Sequence, residues 1–258
     1  MSPTVRNENT GVEIYAEEGG SAGPTLLLLH GLGANGDVWK GMLPLIAENW
    51  EGRWLIPDFR GHGRSGHREP YSVATHAADV ASLLDQDDEI VVAGHSMGGL
   101  VALALATQWF GVRVKRVAAF SLKIHWTPDE IAKFQQLSQA PVRWFESEAD
   151  AVDRYLTVSG LNGCVAADVP EARSGVRERD GRYRLAADPK MHRIVGARIE
   201  DFFKAARSPY RLGAGSKDPM VELSHMVSYD PNAVLFEGLG HNAHVEDPKK
   251  VWAFISQE

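Results

Sequence analysis

The sequence predicts an α/β fold with a mostly parallel central sheet, an antiparallel N-terminal edge, helices on both faces and an inserted, mainly helical cap. Short apolar runs alternate with helical patterns between Thr25 and Ser121. The alternation stops after Ser121 and resumes at Tyr210. The runs are apolar throughout, which is typical of parallel strands buried on both faces. Strands that alternate with helices imply right-handed crossovers and one sheet.

The first half of the chain supplies most of the predicted elements. Its N-terminal stretch "GVEIYAEEGG" alternates apolar and polar residues and then turns, which suits an antiparallel edge strand. The apolar runs that predict buried strands are 25–30, 54–58, 90–94 and 114–121. The helical patterns between them are 39–49, 72–85 and 97–109.

The middle of the chain is polar and interrupts this alternation. Helical patterns cover 128–139, 148–158 and 191–206. The pair Asp180-Gly181 separates two short runs, which predicts a β-hairpin because both turn positions need a positive φ. Strands return at 210–215 and 233–238, and Pro248 begins a last helix over 248–256. We therefore expect a core of residues 1–124 and 209–258, with 125–208 inserted as a cap.

Composition limits the kinds of protein that this chain can be. The net charge of −7 and the absence of a Lys/Arg block argue against a nucleic-acid partner. With Cys164 as the one cysteine, neither an internal disulfide nor a thiolate metal site can form. No stretch has the apolar core of a signal peptide or the length of a membrane span. We expect a soluble, cytoplasmic protein with a small-molecule substrate, no cofactor, no metal and no membrane partner, and the sequence leaves a homo-oligomer open.

Two stretches match Gly-x-Ser-x-Gly, a pattern that can hold a nucleophilic serine on a turn between a strand and a helix. In "IVVAGHSMGGLVALALA" Ser96 follows a strand and precedes a helix. In "EEGGSAGPTLLLLH" Ser21 comes before a strand instead, with Pro24 between them. The helix N-terminus after Ser96 also directs unpaired N–H groups towards developing negative charge. Ser96 is therefore the predicted nucleophile, and Ser21 is expected in a loop.

A nucleophilic serine needs a base and an acid that orients the base. His241 follows the strand run "AVLFEG" on a loop that contains glycine, where α/β sheets gather their sites, and His244 is the alternative. Asp218 in "YRLGAGSKDPM" follows another strand. Asp58 also follows a strand, but its loop "DFRGHGRSG" indicates a structural turn in which its carboxylate bonds backbone donors. Glu246 and Asp247, which come after the histidine, are expected to hold its loop.

Together these residues resemble the α/β-hydrolase family, over most of the chain outside the insertion. The similar stretches are "HGLG" (30–33), "DFRGHGRS" (58–65), "GHSMGG" (94–99), "GSKDPM" (215–220) and "GHNAHVEDP" (240–248). Ser96, Asp218 and His241 stand in the order in which this family has its triad members. The resemblance implies an oxyanion hole made by the backbone N–H groups of Leu32 and Met97, and a cap that covers the pocket.

Departures from subfamilies narrow the chemistry that the resemblance implies. Haloalkane dehalogenases and epoxide hydrolases of this fold place Asp, and dienelactone hydrolases place Cys, where Ser96 stands. The sequence also lacks the "HGGG" signature of one lipase and esterase branch. We expect acyl-enzyme chemistry in which Ser96 attacks, His241 takes the proton and Asp218 stabilises the imidazolium. His241 must be neutral to act, so activity should fall in acid.

Several functions would use the same residues. The main hypothesis is a carboxylic-ester hydrolase for a small to medium, apolar substrate, because the cap segment is rich in aromatic residues. Within it we expect His125, Trp126 and Trp144 to contact the substrate. A carbon–carbon bond hydrolase for a vinylogous diketone is the alternative, and amide, thioester or lactone hydrolysis and perhydrolysis stay open. A ligand receptor that retains a slow triad is the hypothesis from another class.

Overall fold

The computed structural model of the chain describes residues 4–7, 11–85 and 87–257. Its strands, in chain order, are β1 (Thr4–Asn7), β2 (Val12–Gly20), β3 (Thr25–Leu29), β4 (Arg53–Pro57), β5 (Glu89–His95), β6 (Arg113–Phe120), β7 (Val176–Arg179), β8 (Arg182–Leu185), β9 (Tyr210–Gly215) and β10 (Val234–Phe236).

The helices lie between these strands and after the last of them. The α-helices are α1 (Leu43–Asn49), α2 (Val73–Ala81), α3 (Met97–Ala106), α4 (Pro128–Leu137), α5 (Glu148–Val158), α6 (Pro170–Arg173), α7 (Ile199–Ala205), α8 (Leu223–Val227), α9 (Ala243–Glu246) and α10 (Pro248–Ile255). Gly36–Met42 and Pro189–Ile194 form 3₁₀-helices.

One sheet organises the core, with strand order β1-β2-β4-β3-β5-β6-β9-β10. The strands from β4 to β10 in this order pair in parallel. At the other end β2 is antiparallel to β4, and β1 is antiparallel to β2. The predicted mostly parallel sheet with an antiparallel N-terminal edge is therefore confirmed, and β1 is a strand that the sequence analysis did not predict.

Both faces of this sheet are covered. Along β5, Ile90 and Val92 pack into a hydrophobic cluster with residues of α2 and α3, whereas Val91 and Ala93 pack into a second cluster with residues of α1 and α10. Helix α3 is buried along its whole length, which fits its nearly continuous apolar sequence. The apolar runs that predicted the strands are therefore explained by burial on both faces.

The strand order reverses between β3 and β5, which are neighbours although β4 lies between them in the chain. Leu29 at the end of β3 pairs with Gly94 near the end of β5. The loops that leave these two strands therefore begin side by side. Ligand sites of open α/β sheets lie at such a reversal, beyond the carboxyl ends of the strands.

The segment between β6 and β9 contains α4 to α7 and the β7–β8 hairpin. The hairpin is confirmed: Asp180 and Gly181 have φ angles of 53° and 73°, as a two-residue turn of this handedness requires. Its helices are mostly those expected, but the pattern over 191–206 splits into a 3₁₀-helix and α7. Gly196, with a φ of 93°, lies between the two parts, and a residue in that conformation cannot continue a helix.

A similar division affects the first predicted helix. The pattern over 39–49 begins as the 3₁₀-helix Gly36–Met42 and continues as α1. Pro44 lies at the start of α1, where its missing N–H and its ring prevent a continuous α-helix from running through from the preceding turn. Periodicity alone does not distinguish these two kinds of helix.

Candidate active site

The turn between β5 and α3 holds Ser96 in a strained backbone conformation. Its φ is 52° and its ψ is −117°, and such a positive φ costs a non-glycine residue on the order of 1–3 kcal/mol. β5 ends at His95 and α3 begins at Met97, so strand, turn and helix follow in the predicted order. The Ser96 side chain makes no capping hydrogen bond with the helix and is half-buried. Its hydroxyl is therefore not used to stabilise the helix.

Two glycines allow the backbone around Ser96 to pack this closely. A Cβ atom on Gly98 would lie 2.3 Å from the carbonyl oxygen of Leu29, and one on Gly94 would lie 2.5 Å from the carbonyl oxygen of Gly98. Both distances are shorter than any real contact of a Cβ with backbone. The glycines of the Gly-x-Ser-x-Gly pattern are thus required for packing α3 against β3 and β5.

Asp218 and His241 lie in the loops that follow β9 and β10, and their side chains are hydrogen-bonded. His241 Nδ1 is 2.8 Å from Asp218 Oδ2. An ionised carboxylate only accepts hydrogen bonds, so Nδ1 carries the proton and Nε2 of the neutral ring can accept one. The Asp218 side chain is fully buried, whereas the His241 side chain is 15% exposed. Burial strengthens the interaction of the carboxylate with any positive charge on the ring.

Ser96 and His241 line the same cavity, which has a volume of about 460 Å³. Leu32 and Met97 also line it, next to the serine. A cavity of this size is typical of small-molecule sites. The structure therefore brings together the predicted nucleophile, the predicted base and both predicted oxyanion residues around one space, with Asp218 behind the histidine.

The loop that contains Leu32 is a tight turn. The N–H of Ala34 donates to the carbonyl of Gly31 over 3.3 Å, and Gly33 has a φ of 80°, the conformation that a type II turn requires at its third residue. His30 fixes the start of this turn. Its Nε2 accepts from the N–H of Phe59 at 3.0 Å, so its Nδ1 carries the proton and donates to the Gly31 carbonyl at 2.8 Å.

The other oxyanion candidate belongs to α3. Met97 is the first residue of the helix, so its N–H has no acceptor within the helix. The positive end of the helix dipole lies at the same point, which favours negative charge there. The backbone N–H of Met97 is therefore suited to bind an anionic oxygen beside Ser96.

His95 is a residue of the site that sequence analysis missed. It is buried, and its Nε2 lies 2.9 Å from the backbone carbonyl of His241. A carbonyl only accepts, so His95 Nε2 donates this hydrogen bond. Burial also lowers the pKa of His95 well below its usual value, so the ring is neutral. His95 thus ties the serine turn to the His241 loop, and its position next to Ser96 was the one sequence signal for it.

His244 and Ser21, the alternative base and the alternative nucleophile, do not line the active-site cavity. His244 is buried between the rings of Trp39 and His95, with centroids 4.5 and 4.6 Å away, and burial lowers its pKa to about 3. It does not line the cavity that Ser96 borders. Ser21 is exposed on the connection between β2 and β3, outside this cavity.

Asp58 and Glu246 have the structural contacts expected of them, whereas Asp247 caps a helix and does not hold the His241 loop. Asp58 accepts from the backbone N–H groups of Gly36 and Arg64 at 2.7 and 2.8 Å. Glu246 accepts from the N–H of Gly240 at 2.8 Å, which holds the loop before His241. Asp247 caps α10. These bonds explain why the carboxylates stand near strand ends without lining the cavity.

The three residues expected to contact substrate do not all lie at the cavity. Trp126 lines it, but His125 and Trp144 do not. The His125 ring packs on the ring of His225 at a centroid distance of 4.4 Å, and Trp144 packs under the guanidinium of Arg182. The structure therefore corrects the expectation for His125 and Trp144, whose neighbours in space are far away in sequence.

Two absences can be stated for the described part of the chain. No group of three or more His, Cys, Asp or Glu side chains there is arranged to hold a metal ion. Among the helices of the same residues, none combines the length and the apolar character that a membrane span needs.

Comparison with known proteins agrees with the architecture of the sheet. Residues 26–254 match the model of the alpha/beta hydrolase family. A pimeloyl-[acyl-carrier protein] methyl ester esterase of Aeromonas hydrophila is 25% identical over 245 residues, which are 88% of this chain and 92% of the esterase. An uncharacterized protein of Mycobacterium tuberculosis is 39% identical over 92 residues, 34% of this chain, and the match spans only 26% of that relative's length.

Among solved structures, E-2-(acetamidomethylene)succinate hydrolase superposes with a TM-score of 0.82 at 20% identity, covering 100% of this chain and 99% of that chain. This likeness concerns the fold. Since the family match extends over most of the sequence and the sheet has the corresponding architecture, the chain belongs to the alpha/beta hydrolase family.

Proposed function

We propose that this protein is a serine hydrolase that cleaves a carboxylic ester of a small molecule through an acyl-enzyme. One observation carries the proposal: Ser96, whose backbone is strained, borders the same cavity as His241. In addition, His241 is hydrogen-bonded at 2.8 Å to the fully buried carboxylate of Asp218. The activity in the name of the Aeromonas hydrophila relative, a methyl ester esterase, supports an ester as the substrate.

In the first half of the reaction, Oγ of Ser96 attacks the ester carbonyl carbon while Nε2 of His241 takes the hydroxyl proton. The Asp218 carboxylate stabilises the imidazolium that forms. The backbone N–H groups of Leu32 and Met97 bind the oxyanion of the tetrahedral intermediate, and each such donor contributes about 3–4 kcal/mol. The intermediate collapses, and the alcohol leaves with the proton from His241.

In the second half, water enters the position that the alcohol has left. Nε2 of His241 takes a proton from this water, which attacks the carbonyl carbon of the acyl group on Ser96. The second tetrahedral intermediate uses the same N–H donors. Its collapse releases the carboxylic acid and returns the proton to Oγ of Ser96.

We also propose that residues 125–208 act as a cap over the cavity. Trp126, Phe134 and Leu137 from this segment line the cavity together with residues of the core. Their apolar side chains favour the non-polar part of an ester and reduce the access of water to the reacting centre. Substrate selection would then depend mainly on this segment.

A fluorophosphonate probe, together with short p-nitrophenyl esters, tests the proposed function. We expect the probe to label the wild-type protein at Ser96 and the esters to be hydrolysed. The Ser96→Ala variant should lose both the label and the turnover, and His241→Ala should label much more slowly because the hydroxyl loses its base.

The second Gly-x-Ser-x-Gly stretch provides a matched control. Ser21→Ala removes the same hydroxyl from an exposed loop and should leave labelling and turnover unchanged. A wild-type protein that neither reacts with the probe nor hydrolyses any of the esters would contradict the proposal and favour a ligand receptor. Labelling that survives in Ser96→Ala would show that another residue is the nucleophile.

A further inference from the structure

The residues that line the active-site cavity differ in burial and in charge. Around Ser96 its walls include the buried residues Met97 and Leu100. Two cationic residues, Lys133 of α4 and Arg154 of α5, also line the cavity, and both are exposed to solvent. Because Lys133 and Arg154 are exposed whereas Met97 and Leu100 are buried, we place the two cations at the solvent end of the cavity.

The charges around this cavity have one sign. Among the described residues that line it, none is Asp or Glu, although the whole chain has a net charge of −7. Lys123 is a third cation in the lining, but it forms an ion pair with Glu130 and is therefore compensated. His192 contributes no charge at neutral pH, because burial lowers its pKa.

Lys133 and Arg154 are not compensated in this way. Neither forms an ion pair with any residue that the structure describes. Arg154 also borders an open surface cavity lined by the carboxylates Glu146, Asp150 and Asp153, without an ion pair to any of them. Two cations at the mouth of a cavity with low-dielectric walls create a local positive potential that attracts anions. A carboxylate or phosphate group beside either side chain would accept charge-assisted hydrogen bonds from it.

We propose that the natural substrate is an anionic ester, in which an apolar chain separates the ester carbonyl from a carboxylate or phosphate group. The ester lies at Ser96, the chain contacts the apolar wall, and the anion is bound by Lys133 and Arg154. This inference rests on the proposed ester hydrolysis and adds the substrate class. It also names two specificity residues that no sequence motif indicated.

Matched esters test the substrate class. Methyl octanoate is neutral, and monomethyl suberate carries a carboxylate at the far end of a chain of the same length. The third ester, methyl 8-(phosphonooxy)octanoate, carries a phosphate group at that end. The quantity measured is kcat/KM for methanol release. We expect each anionic ester to exceed the neutral one by about 4- to 25-fold, since two exposed ion pairs would each contribute about two- to fivefold. Comparing the two anionic esters distinguishes carboxylate from phosphate.

Variants of the two cations test the residues. In Lys133→Gln and in Arg154→Gln the ratio of kcat/KM for the anionic ester to that for the neutral ester should fall by about two- to fivefold. Lys249→Gln is the matched control, since Lys249 is an exposed lysine of α10 outside the cavity lining. Its ratio should equal that of the wild type. Both test residues are exposed, so these variants should fold normally.

Ionic strength gives an independent readout. The Debye length is about 10 Å at 0.1 M salt and about 3 Å at 1 M, so salt should lower the anionic preference of the wild type. Salt should have little effect on the preference of a double variant that combines Lys133→Gln with Arg154→Gln and so lacks both cations.

The possible outcomes separate this inference from the proposed function. If Ser96-dependent hydrolysis of methyl octanoate occurs but the anionic esters have no advantage, the substrate class is wrong and the serine esterase remains. An anionic preference that both variants retain would also overturn the role of Lys133 and Arg154. If no ester is hydrolysed through Ser96, the proposed function and this inference are both wrong.

Discussion

Replacing Asp218 by Asn tests the part of the mechanism that depends on charge. Asparagine has nearly the same shape, so the loop after β9 should keep its conformation, including the hydrogen bond from the N–H of Met220 to the side chain of residue 218 at 2.9 Å. The negative charge next to His241 is lost. The amide can also donate to Nδ1, which would place the ring proton on Nε2 and remove the base.

The size of the effect follows from the geometry. His241 Nδ1 and Asp218 Oδ2 are 2.8 Å apart, and unit charges at this separation interact by about 6 kcal/mol at an effective dielectric constant of about 20. Both charges are delocalised, and at a mean separation of about 4 Å the interaction is about 4 kcal/mol. Because this energy stabilises the imidazolium formed in the transition state, kcat should fall by about 10³- to 10⁴-fold.

The assay is steady-state hydrolysis of p-nitrophenyl acetate, with kcat and KM determined separately and folding checked by thermal unfolding. Asp168→Asn is the control, since Asp168 is an exposed carboxylate outside the cavity lining and its removal should leave kcat unchanged. A folded Asp218→Asn protein that retains more than about one tenth of the wild-type kcat would refute the reasoning, because the buried charge would then contribute less than about 1.4 kcal/mol.

Three further predictions concern residues around the site. Gly98→Ala should lower the free energy of unfolding by about 1–3 kcal/mol in urea titrations, because the new Cβ would lie 2.3 Å from the Leu29 carbonyl oxygen. The control is Gly41→Ala, whose Cβ would lie 3.6 Å from its nearest neighbour, and it should lower the free energy of unfolding much less. Equal effects of the two substitutions would contradict this packing argument. His95→Leu should lower kcat for p-nitrophenyl acetate by roughly tenfold, since it removes the donor to the partly buried His241 carbonyl. His95→Gln, which keeps a donor, should lower kcat less, and equal losses in both variants would contradict a role for the hydrogen bond. The pKa of buried His244 is lowered to about 3, so between about pH 6.5 and pH 3 the unfolded chain binds a proton that the folded protein does not, and stability should decrease with falling pH by about 1.4 kcal/mol per unit for this ring. His244→Phe should reduce that slope in urea titrations at several pH values, and an unchanged slope would contradict the assignment.

That Ser96, Asp218 and His241 lie close together could be predicted from the sequence, because this placement depends on local order along the chain. Each follows a strand whose apolar run is readable, and parallel strands bring their carboxyl ends to one edge of the sheet. Ser96 was separated from Ser21 by the same reasoning, since only Ser96 has a strand before it and a helix after it. The hydrogen bond between Asp218 and His241, 23 positions apart, is a consequence of β9 and β10 being neighbours.

The cap contacts could not be predicted in this way. Trp126 and Trp144 are both aromatic residues of the inserted segment, yet only Trp126 lines the cavity. Which of them does so depends on how the helices pack, and Arg182, which covers Trp144, is distant in sequence. His95 shows a related limit. Its partner is a backbone carbonyl of a distant loop, and a backbone acceptor has no signature in the sequence.

The most direct measurement is to identify the residue that carries the acyl group during turnover. The wild-type protein would be mixed with p-nitrophenyl acetate, quenched in acid within the first turnover, digested and analysed by mass spectrometry. We predict an acetyl group on the peptide that contains Ser96, which disappears when the reaction is left to run to completion. Acetylation of a different residue, or release of p-nitrophenol with no acylated peptide at any quench time, would contradict catalysis through Ser96.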